Sequence, residues 1–540
     1  MASWSLLVLG LVAFAATVRC QEGYDASPTV QTAQGTVRGM SAITADGTKY
    51  YKFLGIPYAK PPVGNLRFTD PQEAESWSGV KNATSFGPMC LQLRGGSEDC
   101  LFLNVHSPQL PSKNSSLLPV MVHIHGGAFV GRSGDFEPGQ LLNYGVVFVG
   151  LNYRLNVFGF LSVSDSDAPG NAGLKDQTLA LRWVQKNIAK FGGDPNSVTI
   201  FGESAGGASV HYHVLSPLSR GLFHRAISES GSAFNPWAYY KNTEERAYRL
   251  ISKIRQHANN SADLLKILRA AEPADLLKNL GRVLVGSERW PPLANPFIPS
   301  LEFPRKGVQP FLPHEPAYIE QHGLFNKVPY ITGSAARESV SFIAASKLTQ
   351  DSYWQSVNDN LEQVVPADLG LEIGSQLSKE VAQKVKNFYF GSKNISYETR
   401  EQWIALQTDL LIALGVVNAF HAQVRHSTSH TYNYQATYGS AQHCVEFQFL
   451  VYNGKINGES SDTVKLARFL GQMWTNFAKT GVPSAEGDVV WKPATQNGSY
   501  PYLEINLPSA LKYNVDKDRM DFWEKIYNEY NKTNATLLAN

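Results

Sequence analysis

A serine set among small residues is the side chain best suited to covalent chemistry in this chain. The segment Gly202-Glu203-Ser204-Ala205-Gly206-Gly207 follows the apolar run Ser197–Phe201, and an apolar helical pattern begins directly after it. Glycines on both sides of a serine allow a sharp turn from strand to helix, because a Cβ at either position would collide with the adjoining backbone. Such a turn presents the hydroxyl as a nucleophile for acyl transfer, and the helix N-terminus behind it favours developing negative charge. A glycine-rich loop arising by chance is the alternative, and the strand–turn–helix context argues against it.

A second small-residue segment lies upstream and could stabilise an oxyanion. His125-Gly126-Gly127-Ala128-Phe129 closes the apolar run Val120–His125. A glycine pair there leaves backbone N–H groups free to face a ligand, although a lone Gly-Gly after a strand is more often only a turn. With the serine motif downstream, we predict that the amides of Gly126, Gly127 and Ala205 bind the oxygen that becomes negative in a tetrahedral intermediate.

These segments resemble motifs of the type-B carboxylesterase/cholinesterase family. The resemblance is also carried by Ser97-Glu98-Asp99-Cys100-Leu101 and by Gly170-Asn171-Ala172-Gly173-Leu174-Lys175-Asp176-Gln177, and it extends from about Val30 to about Asp521. Secreted insect carboxylesterases look most similar. The resemblance implies an α/β-hydrolase fold, with a mostly parallel central sheet flanked by helices and a deep gorge leading to the serine. It also implies a serine carboxylesterase that needs no cofactor or metal.

The base and the acid that a serine nucleophile requires are carried over from the family's motifs. The family acid stands five residues after a glycine that closes a strand, which is Glu338 after Gly333 here; the usual glycine that follows is replaced by Ser339. The family histidine comes late in the chain and corresponds to His443, with Glu446 in the acidic position shortly after it. Cys444 and Val445 depart from the family's pattern at that point.

Other matching residues imply structural contacts. By resemblance, Cys90 and Cys100 form a disulfide, Arg67 pairs with Glu98, and Arg154 pairs with Asp176. Ser230 matches a family serine that lies near the acid, although on its own it would be an ordinary residue at a strand end.

The elements that must position these residues are indicated by apolar runs. Val120–His125 and Val146–Tyr153 are predicted to be buried strands, and Val198–Phe201 and Tyr330–Thr332 shorter ones. Helical spacing of apolar residues from Leu174 to Phe191 predicts a helix between the second and third strands, ended by the glycines that follow. Strand, helix and strand in this order imply a parallel sheet with crossover helices. No linker or internal repeat divides the chain, so we predict one domain over 21–540.

The N-terminus predicts a secretory signal peptide at 1–20. Its apolar run from Leu6 to Ala16 is too short to span a bilayer, and cleavage after Ala16 or after Cys20 is open, with the second preferred. No later stretch approaches the roughly 18 uninterrupted apolar residues of a membrane helix, and the C-terminus shows neither an ER-retention tetrapeptide nor a GPI tail. We therefore expect a secreted protein without a membrane anchor. Glycosylation sequons occur at Asn82, Asn114, Asn259, Asn394, Asn497, Asn531 and Asn534.

The net charge limits the kinds of partner that the chain can bind, and the cysteine content limits the kinds of structural site that it can hold. The net charge is +2, and no cluster of lysine and arginine marks a surface for nucleic acid or an anionic membrane. Without residues 1–20 only Cys90, Cys100 and Cys444 remain, too few for a disulfide-framed scaffold and no basis for a structural metal site. The expected partner is a small neutral ester, such as an odorant or pheromone acetate or a compound to be detoxified; the oligomeric state is not indicated.

Three alternatives stay open beside hydrolysis of neutral esters. Some proteins of such a fold are inactive binding or adhesion homologues, which the presence of all three triad residues argues against. Cleavage of a hormone or choline ester is a second, although family hormone esterases usually carry Gln where Glu203 precedes the serine. The third is sequestration, in which the acyl-enzyme turns over slowly.

Overall fold

The computed structural model describes residues 27–530, apart from 242, 290–292, 344, 486–488 and 497. The predicted signal peptide therefore lies outside the described residues. The strands are β1 Thr29–Gln31, β2 Thr36–Arg38, β3 Met40–Ile43, β4 Lys49–Pro57, β5 Val80–Asn82, β6 Phe102–Ser107, β7 Leu118–Ile124, β8 Val147–Leu151, β9 Gly193–Glu203, β10 Arg225–Glu229, β11 Tyr330–Ala335, β12 Thr431–Ala436, β13 Pro501–Ile505 and β14 Ala510–Tyr513.

Helices connect these strands and cover the sheet. They are α1 Asn156–Phe160, α2 Ala172–Asn187, α3 Ala205–Leu215, α4 Glu244–Lys253, α5 Ser261–Ala270, α6 Pro273–Asn279, α7 Pro316–Gln321, α8 Ala345–Leu348, α9 Asp351–Asp359, α10 Gln376–Phe390, α11 Arg400–Thr408, α12 Leu414–His426, α13 Val445–Leu450, α14 Asp462–Thr480 and α15 Lys517–Tyr530.

A mixed sheet of 11 strands forms the centre, in the order β14-β13-β12-β11-β10-β9-β7-β8-β6-β4-β3. The neighbours from β13 through β8 are parallel, and the pairs at both ends of the sheet are antiparallel. This arrangement confirms the predicted α/β fold with a mostly parallel sheet. Its strands come from the whole stretch between β3 and β14, which supports a single domain; the boundaries 21–540 stay a prediction.

The central strands are buried because both faces of the sheet are covered. Along β7, Val120, Val122 and Ile124 belong to one hydrophobic cluster, whereas Met121 between them belongs to the cluster on the other face. Alternation of side chains in a strand explains this division, and burial on both faces explains why the run is apolar throughout. The predicted strands are confirmed, with β9 beginning earlier than expected, at Gly193.

The predicted crossover helix is also confirmed. It consists of α2 followed by a 3₁₀ turn at Ile188–Phe191, and Gly192 ends it in the left-handed conformation with φ 87°. The crossover carries the chain back to the start of β9. Because β9, β10, β11 and β12 are parallel neighbours, their carboxyl ends lie at one edge of the sheet.

Among the described residues, one helical segment, Tyr397–His426, is long and apolar enough to cross a membrane by length and composition. In its most apolar window 78% is buried inside the protein, and α12 packs against β11 and β12. Packing within the protein therefore accounts for its apolar surface.

Candidate active site

Ser204 lies in a strained turn between β9 and α3. Its backbone has φ 60° and ψ −122°, a sparsely populated conformation that costs about 1–3 kcal/mol and needs support from its surroundings. Its amide donates to the carbonyl of Glu229 at 2.8 Å. A Cβ at Gly202 or Gly206 would lie 2.2 or 2.0 Å from the carbonyl oxygen of Ile124. The glycines of the motif are thus required for the turn that presents the serine.

Glu338 and His443, predicted from distant parts of the chain, are in direct contact. His443 Nδ1 lies 2.5 Å from Glu338 Oε2, and the glutamate side chain is fully buried. The other nitrogen, His443 Nε2, is buried and makes no hydrogen bond to any described residue. It is therefore not hydrogen-bonded to Ser204 Oγ. The imidazole is therefore oriented by its Nδ1 contact, and its Nε2 atom is available to accept a proton.

The sheet explains how these residues meet. Ser204 follows β9, Ser230 follows β10, Glu338 follows β11 and His443 follows β12. Because these strands are parallel neighbours, the loops after them occupy the same edge. Adjacent loops are joined directly, since Ser230 Oγ donates to Glu338 Oε1 at 2.6 Å. The prediction that Ser230 lies beside the acid is confirmed.

Ser339 causes no disturbance in the loop that carries Glu338. Its hydroxyl donates to the carbonyl of Ile404 at 2.9 Å, and its amide donates to Thr408 Oγ1 at 3.2 Å. The serine that replaces the family's glycine is therefore satisfied by the helix packed against this loop.

A second carboxylate, Glu446, lies next to the first. Tyr434 donates to it at 2.5 Å, and its distance to Ser230 Oγ is 3.4 Å. Burial, with the nearby charge of Glu338, raises the pKa of Glu446 to about 7. Near neutral pH, Glu446 is therefore protonated in part of the molecules, whereas Glu338 is the carboxylate that holds the imidazole.

The prediction of Gly126 as an oxyanion donor needs correction. Its amide donates to Glu203 Oε1 at 2.9 Å, because the side chain before the serine folds back onto this segment. The amides of Gly127, Ala128 and Ala205 have no acceptor among the described residues. Gly127 and Ala128 both have positive φ, 103° and 54°. The segment thus offers the amide of Ala128 in place of that of Gly126.

Glu203 is buried and held as an anion. Burial opposes its ionisation, but His123 at 2.7 Å and the amide of Gly126 outweigh it and lower the pKa of Glu203. Arg132 adds a guanidinium 3.5 Å from the same carboxylate and keeps 66% of its own side chain exposed. The negative charge of Glu203, next to Ser204, is therefore already compensated by the guanidinium of Arg132.

The structural pairs implied by the resemblance are present. Cys90 and Cys100 form a disulfide. Arg67 and Glu98 make a two-pronged ion pair at 2.6 and 2.5 Å, and Arg154 and Asp176 make one at 2.8 and 2.7 Å. Three of these four residues are buried, with exposed fractions of 8% for Arg67, 3% for Arg154 and 0% for Asp176. Such buried pairs tie the loops near the site to the fold.

A large cavity adjoins the site. Its volume is about 1680 Å³, and its wall includes Val130, Ala233, Phe234, Trp237 and Phe342. Ser204 is not part of this wall; the cavity approaches the site through Phe342, whose ring centre lies 4.7 Å from that of His443. The volume exceeds the roughly 300–1,000 Å³ of common small-molecule sites.

Residues 26–523 match the family described as the carboxylesterase family. The chain belongs to that family. Its activity is therefore hydrolysis of carboxylic esters, as the names of its relatives also indicate. Esterase FE4 of Myzus persicae is 37% identical, with 87% of each chain covered. A carboxylic ester hydrolase of Bombus ignitus is 35% identical over 97% of this chain and 98% of its own, and venom carboxylesterase-6 of Apis mellifera is 34% identical over 98% and 99%.

Some residues that shape this carboxylesterase's site were missed from the sequence. Ala128 lies in the segment His125–Phe129 already singled out, Arg132 follows three residues after that segment, and His123 lies in the strand before it. Their residue types were visible in the sequence, but their contacts depend on where the side chain of Glu203 points, which no local pattern shows.

The described sequons Asn82, Asn114, Asn259 and Asn394 are exposed, whereas Asn497, Asn531 and Asn534 lie outside the described residues.

Cys444 has a free thiol, since Cys90 and Cys100 are joined to each other and the other cysteine, Cys20, lies outside the described residues. The residue as a whole keeps some exposed surface, but its thiol lies among acidic groups. Burial and the charges of Glu338 and Glu446 raise the pKa of the Cys444 thiol well above its usual value. A protonated thiol is a poor nucleophile. The structure thus favours an inert cysteine over a reactive one.

We expect thiol titration of the denatured, unreduced protein to find about one thiol. In the native protein the same thiol should react slowly at neutral pH and faster as the pH rises, because only the thiolate reacts. Finding none after denaturation would mean that Cys444 is capped, bonded between chains or paired with a retained Cys20. Rapid reaction of the native protein at neutral pH would contradict the protonated state.

Proposed function

We propose that Ser204, His443 and Glu338 form the catalytic triad of a serine carboxylesterase. The observation that carries the proposal is the 2.5 Å contact between Glu338 and His443 Nδ1, at the sheet edge to which the Ser204 turn belongs. A base held by a buried carboxylate, with its second nitrogen free, is the arrangement needed to activate a serine hydroxyl.

The reaction proceeds through an acyl-enzyme. Ser204 Oγ attacks the ester carbonyl while His443 Nε2 takes the hydroxyl proton, and Glu338 stabilises the imidazolium. The imidazolium then gives its proton to the alcohol oxygen as the ester bond breaks, leaving an acyl group on the serine. Water, deprotonated by His443, attacks this group in turn, and the acid leaves as Ser204 regains its proton.

The oxyanion of both tetrahedral intermediates is bound by backbone amides. We assign this role to Gly127, Ala128 and Ala205, since their N–H groups lack acceptors among the described residues whereas that of Gly126 is taken by Glu203. Ala205 is also the first residue of α3, so the positive end of the helix dipole adds to the stabilisation.

Neutral esters are the proposed substrates. The disulfide loop between Cys90 and Cys100 contains no aromatic residue that could bind a quaternary ammonium, and its Arg94 is exposed and cationic. Arg132 further compensates the charge of Glu203. The cavity volume does not by itself restrict the acyl or alcohol group to short chains. A choline head group would therefore find no aromatic surface in this loop and, in Glu203, a carboxylate that Arg132 already compensates.

We expect acetylcholine to be hydrolysed with a kcat/KM at least about tenfold below that of 3,3-dimethylbutyl acetate, a penalty of about 1.4 kcal/mol. The two esters have nearly the same shape and differ in charge, so the comparison isolates electrostatics. A panel of aliphatic acetates and longer acyl esters, assayed beside them, measures the chain-length preference. Equal or faster hydrolysis of acetylcholine would exclude the proposed neutral-ester preference while leaving the triad untouched.

We also propose that the protein is secreted after cleavage of 1–20 and is glycosylated. The apolar N-terminal run, the disulfide and the four exposed sequons support this proposal. Terminal sequencing of protein collected from the medium tests it, and a chain that begins at Met1 inside the cell would exclude it.

A further inference from the structure

The segment that presents the oxyanion amides is held in a strained backbone. We call residues 125–134 the oxyanion loop. Within it Ala128, Phe129 and Arg132 have φ of 54°, 61° and 74°, values that residues with side chains seldom adopt. Such conformations persist only where neighbouring groups fix them. The position of the Gly127 and Ala128 amides therefore depends on what holds this loop.

Gln92, inside the disulfide loop, makes two of the hydrogen bonds that hold the oxyanion loop. Asn295, which donates to the carbonyl of Ala128 at 3.1 Å, and Asn152, whose Oδ1 accepts from the amide of Gly134 at 2.8 Å, make others. Gln92 Oε1 accepts from the amide of Arg132 at 3.0 Å, and Gln92 Nε2 donates to the carbonyl of Arg132 at 3.0 Å. The same Nε2 donates to the carbonyl of Cys90 at 3.0 Å. The residue as a whole is only 6% exposed. One buried amide thus joins the peptide groups of Arg132 to the anchored end of the disulfide loop.

The tie at Arg132 reaches the catalytic amides through a tight turn. The carbonyl of Gly127 accepts from the amides of Val130 and Gly131 at 2.9 and 3.1 Å. Arg132 follows directly, so only a short, internally hydrogen-bonded turn separates the Gln92 contact from the Gly127 and Ala128 amides. A second residue, Asn156, connects the same two segments: its amide donates to Phe129 at 2.7 Å and its side chain to Leu91 at 3.1 Å.

We propose that Gln92 is a positioning residue for the reaction: it fixes the oxyanion loop so that the Gly127 and Ala128 amides meet the developing negative charge. The inference rests on the proposed triad and oxyanion donors. Gln92 itself touches neither Ser204 nor His443 in its hydrogen bonds, so its effect passes through Arg132. Losing it should impair stabilisation of the transition state and leave ground-state binding of the ester nearly intact.

The test compares Gln92→Met with Asn187→Leu. Methionine keeps the length of the side chain and removes its hydrogen bonds. Asn187 is a matched control, since its buried amide also binds backbone groups, those of Ala33 and Trp183, but at the far edge of the sheet where β9 begins. For each variant, kcat per titrated active site, KM, thermal unfolding and the inhibition constant of a trifluoromethyl ketone are measured. The ketone forms a tetrahedral oxyanion on the serine.

We expect Gln92→Met to lower kcat by about tenfold or more, less than the 100- to 1,000-fold loss of a whole oxyanion donor, with KM changed by less than about twofold. The ketone should bind more weakly by the same factor as kcat/KM falls. Asn187→Leu should lower the unfolding temperature and leave these ratios unchanged.

The proposal is overturned if Gln92→Met lowers kcat no more than the control does, or if the ketone's affinity is unaffected. If the methionine variant does not fold, Gln92→Glu is compared on the same measures, because it keeps an acceptor for the Arg132 amide but cannot donate to its carbonyl. Failure of the proposed function is separate: wild-type protein would then show neither ester hydrolysis nor labelling of Ser204, before any Gln92 variant is compared.

Discussion

Ser204→Ala should lower kcat for ester hydrolysis by about a million-fold, as removal of the nucleophile does in serine hydrolase triads. The fold should survive, because the turn depends on Gly202 and Gly206, whose Cα atoms pack against the carbonyl of Ile124. An organophosphonate should label the wild-type protein at Ser204, detected by mass spectrometry, and should leave Ser204→Ala unlabelled.

Ser300→Ala serves as the control for this experiment. Ser300 is fully buried, and its hydroxyl has no partner among the described residues, so its removal should leave activity close to wild type. A well-folded Ser204→Ala protein that hydrolysed esters near the wild-type rate would contradict the nucleophile assignment. A ligand-binding role without turnover would then become the better hypothesis.

His443→Ala should be nearly as damaging, because a serine without a base barely reacts, and Glu338→Gln should lower kcat by about 10⁴-fold. Glutamine fits the space of Glu338 and still accepts from Ser230 and Ala335, which lie 2.6 Å from the carboxylate. It carries no charge to stabilise the imidazolium and can turn an NH₂ group toward Nδ1. Steady-state kinetics on protein with normal circular dichroism measures both losses.

Glu446→Gln provides the matched control for the acid. Burial and Glu338 raise the pKa of Glu446 to about 7, so much of this group is already neutral at neutral pH, as glutamine is. Its hydrogen bonds run to Tyr434 and Ser230 and not to His443. We expect a loss far smaller than that of Glu338→Gln. If the two losses were reversed, Glu446 would be the acid of the triad.

Local patterns were sufficient where neighbours in sequence are also neighbours in space. The turn at Ser204 follows from the sterics of consecutive residues, since Gly202 and Gly206 admit no Cβ beside Ile124. The strand that contains Val120 follows from burial, and the end of the helix at Gly192 follows from the left-handed conformation of that glycine. Spacing alone, however, did not identify Glu338 and His443. They are 105 residues apart and were located only through the resemblance to a family.

The sequence by itself determined the nucleophile's turn, the parallel sheet and the disulfide's candidate residues, because each depends on short-range sterics, on burial or on a family motif. Only the tertiary structure decided which amides remain free for an oxyanion. The side chain of Glu203 accepts a hydrogen bond from the amide of Gly126, which lies 77 residues earlier in the chain, so the amide of Ala128 is available in its place. It also decided the state of Cys444, whose pKa is raised because folding buries the thiol and gathers carboxylates from several strand ends around it. Hydrogen bonding and charge act through space, and the loops at the carboxyl edge become neighbours only when the sheet forms.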